Sequence, residues 1–462
     1  MRISAVNSNL VMTKVIKKKL TVAEALENMQ RLVIRDIKKA YRDIDYYNEE
    51  DLIQTIEDVY SENGKQLVIV IDEWDAVFRE RRNDGEGQTE YLDFLRDLMK
   101  DNDHIALAYM TGILPIKKYG MHSALNMFTE YSMTSPKNLA EYVGFTGEDV
   151  LDICRQKELN YDLLKEWYDG YILSNKPSEE LLNSEAAADP SAGLKKYEIY
   201  CPLSVVSAGL YKKLENYWNK TENFEALAEY IRKDYDGLKD AIALLMDGGR
   251  IKIDTSTYQN DMTTFHGRDD VLSLLIHLGY LGYDDETGEV FIPNREIKDE
   301  FKTSTKSNEW IPIFKSFEVS QKLLKATWDK DSDQVAEIVE KAHDKTSNLT
   351  YHDETALSYA IQMAYYAAQK YYTILPETDT GKGYADLICI PTPKYSDKPA
   401  LVVELKYNKD AKGAIAQIKQ RNYPDRLEHY KGNILLVGIN YDRDVSNDDP
   451  EFKHHTCVIE EA

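Results

Sequence analysis

The sequence predicts a multidomain α/β protein, and three observations carry that expectation. The chain has 462 residues, enough for about three domain-sized units. Two apolar runs of strand length in its first quarter, QLVIVID (66–72) and HIALAYM (104–110), are separated by a helical pattern, DFLRDLMKDN (93–102). Three more such runs, GYADLICI (383–390), LVVELKYN (401–408) and NILLVGIN (433–440), gather near the end around another helical pattern. Strands alternating with amphipathic helices imply sheets covered by helices.

Taken in order, residues 17–41 (KKKLTVAEALENMQRLVIRDIKKAY) open with a helix, and Gly64-Lys65 reads as a turn before the first long strand. That strand ends in Asp72-Glu73, and the run over 104–112 ends near Thr111. Residues 1–135 are expected to form one α/β module and 136–305 a mainly helical, lid-like region, with the polar segment 177–197 as a surface loop. Helices over 310–328 and 333–345 carry apolar residues at 3/4 spacing and make 306–345 a helical connector. Residues 346–462 form the last domain: a helix over 353–372, the strands, and a helix over 410–430.

Composition sets limits on function. Hydrophobic residues are 43% and charged residues 30%, values of an ordinary soluble protein. No run approaches a membrane span, and the first residues lack a signal peptide's apolar centre, so a cytoplasmic protein with no membrane partner is expected. Cys154, Cys201, Cys389 and Cys457 are far apart and suggest neither a zinc ribbon nor a disulfide framework. No HExxH or GxSxG pattern is present. The net charge of −23 argues against a protein that coats nucleic acid nonspecifically. A local basic groove remains open to it: Lys406, Lys409, Lys412, Lys419, Arg421 and Arg426 cluster around the last strands, although a solvated helix face would look the same.

The chemistry concentrates in that last domain. Side chains alternate across a strand, so Glu404 and Lys406 share a face while Val403 and Leu405 turn to the core. With Asp386 on a neighbouring strand, two carboxylates and a lysine could hold a hard divalent cation, Mg²⁺ or Mn²⁺, and activate water. An E-x-K triplet alone arises by chance on many solvated strands. Here it interrupts an apolar run, where an unpaired charge is costly.

This arrangement resembles the PD-(D/E)XK nuclease superfamily, whose signature is an acid on one strand and (D/E)-x-K on the next. The resemblance implies metal binding by Asp386 and Glu404 and a water-orienting role for Lys406. It also implies assistance from Gln417 in the following helix and additional roles for Glu354 and Tyr423. Ala385 stands where the family's usual proline precedes the acid. Glu354 reads equally well as a helix-starting acid favoured by the dipole.

Upstream, the segments TGILPIKKYG (111–120), SALNMFTEYSM (123–133), WYDGYIL (167–173), IYCPLSVVSA (199–208) and LLIHLGYLGYD (274–284) resemble the AAA-ATPase-like family that bacteria carry fused to a PD-(D/E)XK domain. That resemblance implies an incomplete P-loop NTPase-like module. Asp72 and Glu73 match a Walker B pair, and Thr111 matches the polar residue that senses the γ-phosphate of ATP. The family's phosphate-cradling GxxxxGK[ST] loop is missing, as though the chain begins after it, so ATP binding by this chain alone is not expected. The function implied is a metal-dependent nuclease acting on DNA or RNA. Two alternatives stand beside it: an inactive scaffold, or an ATP-binding protein whose P-loop lies upstream. A second copy could cover the incomplete module's sheet edge, giving a homo-oligomer.

Overall fold

The computed structural model describes residues 4–7, 20–116, 125–175, 195–218, 230–232, 235–258, 265–346, 361, 364–379, 384–420, 427, 430, 432–442 and 454–462. The side chains of 4–7, 342–346, 376–379, 384–386 and 420 are not part of that description. By contacts the chain divides into two units, Met1–Tyr230 with Lys252–Ile297, and Ile231–Ile251 with Lys298–Ala462.

The first unit opens with β1 (Ser4–Asn7), followed by α1 (Val22–Ala40), α2 (Leu52–Asn63), β2 (Leu67–Asp72), α3 (Ala76–Glu80), α4 (Gly85–Met99) and β3 (Ile105–Met110). Thr21 starts α1 with a reciprocal capping box to Glu24, and Asp51 caps α2 through the N–H groups of Ile53 and Gln54. Gly64 ends α2 in the left-handed region at φ 59°, a position glycine takes without a Cβ penalty. The three strands pair in parallel in the order β1-β2-β3. Val22 and Leu26 of α1, Ile56 of α2 and Leu95 of α4 join Ile71 of β2 in one apolar core. Within it lies an apolar cavity of about 180 Å³, lined by Val33, Ile37, Ile56, Leu67, Ile69 and Leu95 among others.

Small sheets and helices follow: β4 (Phe145–Thr146), α5 (Gly147–Lys157), α6 (Tyr161–Tyr168), β5 (Tyr171–Asn175), β6 (Lys195–Tyr200) and α7 (Pro202–Tyr211). The strands run antiparallel in the order β4-β6-β5. Most of the segment read as a loop over 177–197 lies outside the described residues, and its last three residues open β6. The chain leaves this unit for α8 (Leu238–Met246), returns through β7 (Ile251–Lys252), and continues with α9 (Arg268–His277) and the hairpin of β8 (Gly282–Asp284) and β9 (Glu289–Phe291). Glu296, in the first turn of α10 (Arg295–Ser304), is 1% exposed. It accepts hydrogen bonds from the Ser204 hydroxyl at 2.8 Å and from the Tyr217 and Trp218 N–H groups at 2.7 and 3.1 Å. These partners let a buried acid serve as a structural latch.

The second unit is built on a five-stranded mixed sheet of β10 (Tyr372–Asp379), β11 (Tyr384–Pro391), β12 (Ala400–Tyr407), β13 (Ile434–Tyr441) and β14 (His455–Glu461), in that order. Only β12 and β13 pair in parallel; the other three pairings are antiparallel. The helix α13 (Ala411–Gln420) makes the crossover side of β12 and β13. Leu401, Val403 and Leu405 pack with Leu323 and Leu324 of α11 (Ile311–Trp328) and with Val335 and Val339 of α12 (Ser332–Thr346). The stretch read as a connector thus supplies one wall of the sheet's core. Ala400, Val402 and Leu436 pack on the opposite face against Ile415 and Ile418 of α13.

The edge strand β14 is fixed to α12 by His455, 1% exposed, whose Nδ1 lies 2.6 Å from Glu340 Oε2. Burial raises the Glu340 carboxyl, but hydrogen bonds and charge from His455 outweigh it and bring the pKa down to about 2. The folded pKa lies below the ordinary carboxylate value, so this contribution is present above about pH 4.5 and is lost as pH falls toward about 2. We expect Glu340→Gln to lower stability near neutral pH by on the order of 3 kcal/mol. The gap to the parent should narrow below about pH 4 and close near about pH 2, and urea midpoints across pH 7 to about 2 check it. A gap independent of pH would contradict the pairing.

Candidate functional site

The C-terminal sheet brings Glu404 and Lys406 together. Both lie on the β12 face that continues Ala400 and Val402, under α13. Both faces of β12 are covered, and Glu404 and Lys406 are only 2% and 6% exposed. Parallel pairing with β13 needs helical cover on both sides, which the apolar residues at every position from 400 to 403 already satisfy.

Burial of two charges is offset by pairing. Lys406 Nζ donates to Glu404 Oε1 at 2.9 Å. Gln417 Nε2, from the second turn of α13, donates to the same oxygen. Such a pair is stabilising only while complete, because either charge left alone in the interior is expensive.

Asp386 lies on β11, whose Leu387 is in register with Val403 of β12. Asp386 precedes Leu387 on β11, and Glu404 follows Val403 on β12. The Asp386 side chain is outside the described residues, as are Glu354 and Tyr423. Among the described residues no group of three or more His, Cys, Asp or Glu side chains is placed to hold a metal ion. The donor types nevertheless suit a hard cation: carboxylate oxygens, a buried strand end and no thiol or imidazole at these positions.

The positive charge expected around this site is partly taken up. Lys406 is held by Glu404, and Lys419 pairs with Glu460 of β14. Lys409 and Lys412 are exposed, whereas Arg421 and Arg426 lie outside the described residues.

Sequence reasoning missed two residues of this centre. Gly438 of β13 is in register with Glu404 and Asn440 with Lys406. Asn440 is 3% exposed, and its Oδ1 accepts the Lys409 N–H at 3.0 Å. The signal was in the run NILLVGIN: a glycine inside a strand marks close backbone approach, and an asparagine in a buried strand requires a partner.

In the first unit, Asp72 ends β2 and accepts a hydrogen bond from the Thr111 hydroxyl beyond β3. These two expected partners of one site do meet. Glu73 stands in the left-handed region at φ 52° and pairs with Arg79 at 2.9 Å. Arg79 also lies 3.3 Å from the fully buried Asp75, which accepts the Ile113 and Leu114 N–H groups at 3.1 and 2.9 Å. The Glu73 carboxylate is thereby tied to the loop behind Thr111. Arg79 and Asp75 were also missed, although the i,i+4 spacing from the residue that precedes α3 marks such a pair.

The mixed sheet with its parallel β12–β13 pair, crossover helix and buried E-x-K strand defines a restriction-endonuclease-like domain. Residues 352–448 match the family model described as PD-(D/E)XK nuclease superfamily, and residues 6–122 match the one described as Predicted AAA-ATPase. The chain therefore carries an AAA-ATPase-like segment followed by a C-terminal PD-(D/E)XK nuclease superfamily domain. No curated protein and no solved structure matches it. Among the described residues no helix is long and apolar enough to cross a membrane.

Proposed function

We propose that the C-terminal domain is a metal-dependent nuclease that hydrolyses phosphodiester bonds of nucleic acid. The observation that carries this reading is the buried Glu404–Lys406 pair, on the strand that pairs with the strand of Asp386, in a sheet of the superfamily's form. Asp386 and Glu404 are the residues that would hold Mg²⁺ or Mn²⁺, which when bound supplies a water of lowered pKa and neutralises phosphate charge.

Each remaining role belongs to the chain. Lys406, already a donor to Glu404, is the group to orient the attacking water or to stabilise charge growing on a phosphate oxygen. Gln417 donates to Glu404 Oε1 and so holds that carboxylate in place. The closed sheet faces keep bulk water from competing for these groups. The AAA-ATPase-like segment would act on the same nucleic acid or regulate access to it; Asp72, Glu73 and Thr111 are its candidate ATP-facing residues.

The test is cleavage of plasmid, single-stranded DNA and RNA by the full chain with Mn²⁺ or Mg²⁺, with and without ATP. Metal-dependent products are expected, and Glu404→Gln should reduce them by about a hundredfold or more. A folded protein that cleaves none of the three substrates would favour a scaffold.

A further inference from the structure

Nothing about Glu404 and Lys406 is set by β12 alone. Gly438, in register with Glu404 on the neighbouring strand, lies directly beneath the first turns of α13. A Cβ at position 438 would stand 2.5 Å from the Ala411 carbonyl oxygen, 3.0 Å from Ala414 Cβ and 3.1 Å from Ile415 Cγ1. Contacts between carbon and carbonyl oxygen settle near 3.3–3.6 Å. Because the nearest obstacle is helix backbone, a methyl group there would push α13 outward by about 1 Å. The same helix carries Gln417, whose amide reaches Glu404 Oε1.

Asn440 governs the other end of the connection. The chain leaves β12 through Asn408, in the left-handed region at φ 50°, whose N–H donates to the Tyr441 carbonyl at 2.8 Å. The next N–H, of Lys409, is taken by Asn440 Oδ1. Asp410 then caps α13 by accepting the Gly413 N–H at 2.6 Å. Lys406, the turn, the helix start, Gln417 and Glu404 thus form one closed circuit with β13 as its template.

We propose that Gly438 and Asn440 are positioning residues of the Glu404–Lys406 centre. Gly438 sets the depth of α13, so that Gln417 reaches Glu404, and Asn440 fixes the turn that follows Lys406. This deepens the nuclease reading and rests on it for its catalytic consequence. Neither residue touches substrate.

The experiment compares the full chain with Gly438→Ala, Asn440→Leu and Asn440→Asp. Mn²⁺ affinity is read by calorimetry, and kcat and KM by cleavage; circular dichroism establishes folding. Residues that orient ligands typically change metal affinity or activity by about 10–100-fold, and a displacement near 1 Å has a comparable effect on rate. Gly438→Ala and Asn440→Leu should each weaken Mn²⁺ binding at least about tenfold and lower kcat more than they change KM. Asn440→Asp keeps an acceptor for the Lys409 N–H and should retain most of the rate. Recovery in Asn440→Asp of what Asn440→Leu loses, together with the split of kcat against KM, is a pattern that a purely structural residue would not give.

Should Gly438→Ala fail to fold, the two Asn440 variants decide. A parent that binds Mn²⁺ or cleaves, with variants that match it, overturns the positioning roles and leaves the nuclease reading intact. A parent that neither binds Mn²⁺ nor cleaves removes the reading and the proposal together.

Discussion

Replacing Lys406 by methionine is expected to cut metal-dependent cleavage by about 10²–10³-fold, the usual effect of losing one preorganised donor at a reacting centre. The same change should destabilise the C-terminal unit by about 3–5 kcal/mol. The second effect follows from burial: Glu404 is 2% exposed and would lose the cation that offsets its charge, while the neutral Gln417 amide stays beside it. The two effects can be separated. In Glu404→Gln/Lys406→Met both charges are gone, and replacing a buried pair by neutral groups of similar size is often close to neutral in stability. The double variant should therefore recover the parent's denaturation midpoint while remaining inactive. If Lys406→Met kept full cleavage, the lysine would have no part in the chemistry. If the double variant were less stable than the single one, the argument from an uncompensated charge would fail.

The largest effect on stability alone is expected at Gly170, between α6 and β5. Its φ is +112°, and a Cβ there would lie 2.0 Å from the Pro293 carbonyl oxygen and 2.6 Å from its carbon. No side chain can share that space. Gly170→Ala could be accepted only by parting the strand from residue 293, beside the bond from the Tyr171 hydroxyl to the Gly279 carbonyl at 2.6 Å. We expect a loss above about 4 kcal/mol, or an insoluble product. Gly64→Ala is the control: φ is +59° but no atom lies within 4 Å of the added Cβ. It should cost only about 1 kcal/mol, the penalty of the backbone region itself. Thermal melts of the two variants test the contrast, and a Gly170→Ala protein within about 1 kcal/mol of the parent would contradict it.

What could be read from the sequence was what is local. The alternation in LVVELKYN placed Glu404 and Lys406 on one face, and the run GYADLICI placed Asp386 on a strand, as β11 and β12 have them. The cover over that face was not read, because it depends on α13 crossing back to a parallel strand. Lys419 looked like part of a basic groove, since its partner Glu460 is 41 residues away on an edge strand. For the same reason the pairing of His455 with Glu340, 115 residues apart, gave no sign. The Asp72–Thr111 bond was foreseeable from two strands ending side by side. The capture of Glu73 by Arg79 depended on a left-handed residue that sequence pattern does not reveal.

The order in which the two units use the chain has a consequence for synthesis and for dissection. Residues 231–251, which include α8, leave the ribosome before 252–297, yet they belong with the unit completed only by 298–462. Asp247, just after α8, waits for Lys370, with which it pairs at 2.7 Å. A fragment cut at 346 would carry the sheet without Leu323, Leu324, Val335 and Val339, and so without one wall of its core. Autonomous expression of the nuclease-like domain thus calls for a spliced gene, with 231–251 joined by a short linker to 298–462, and not for a simple truncation.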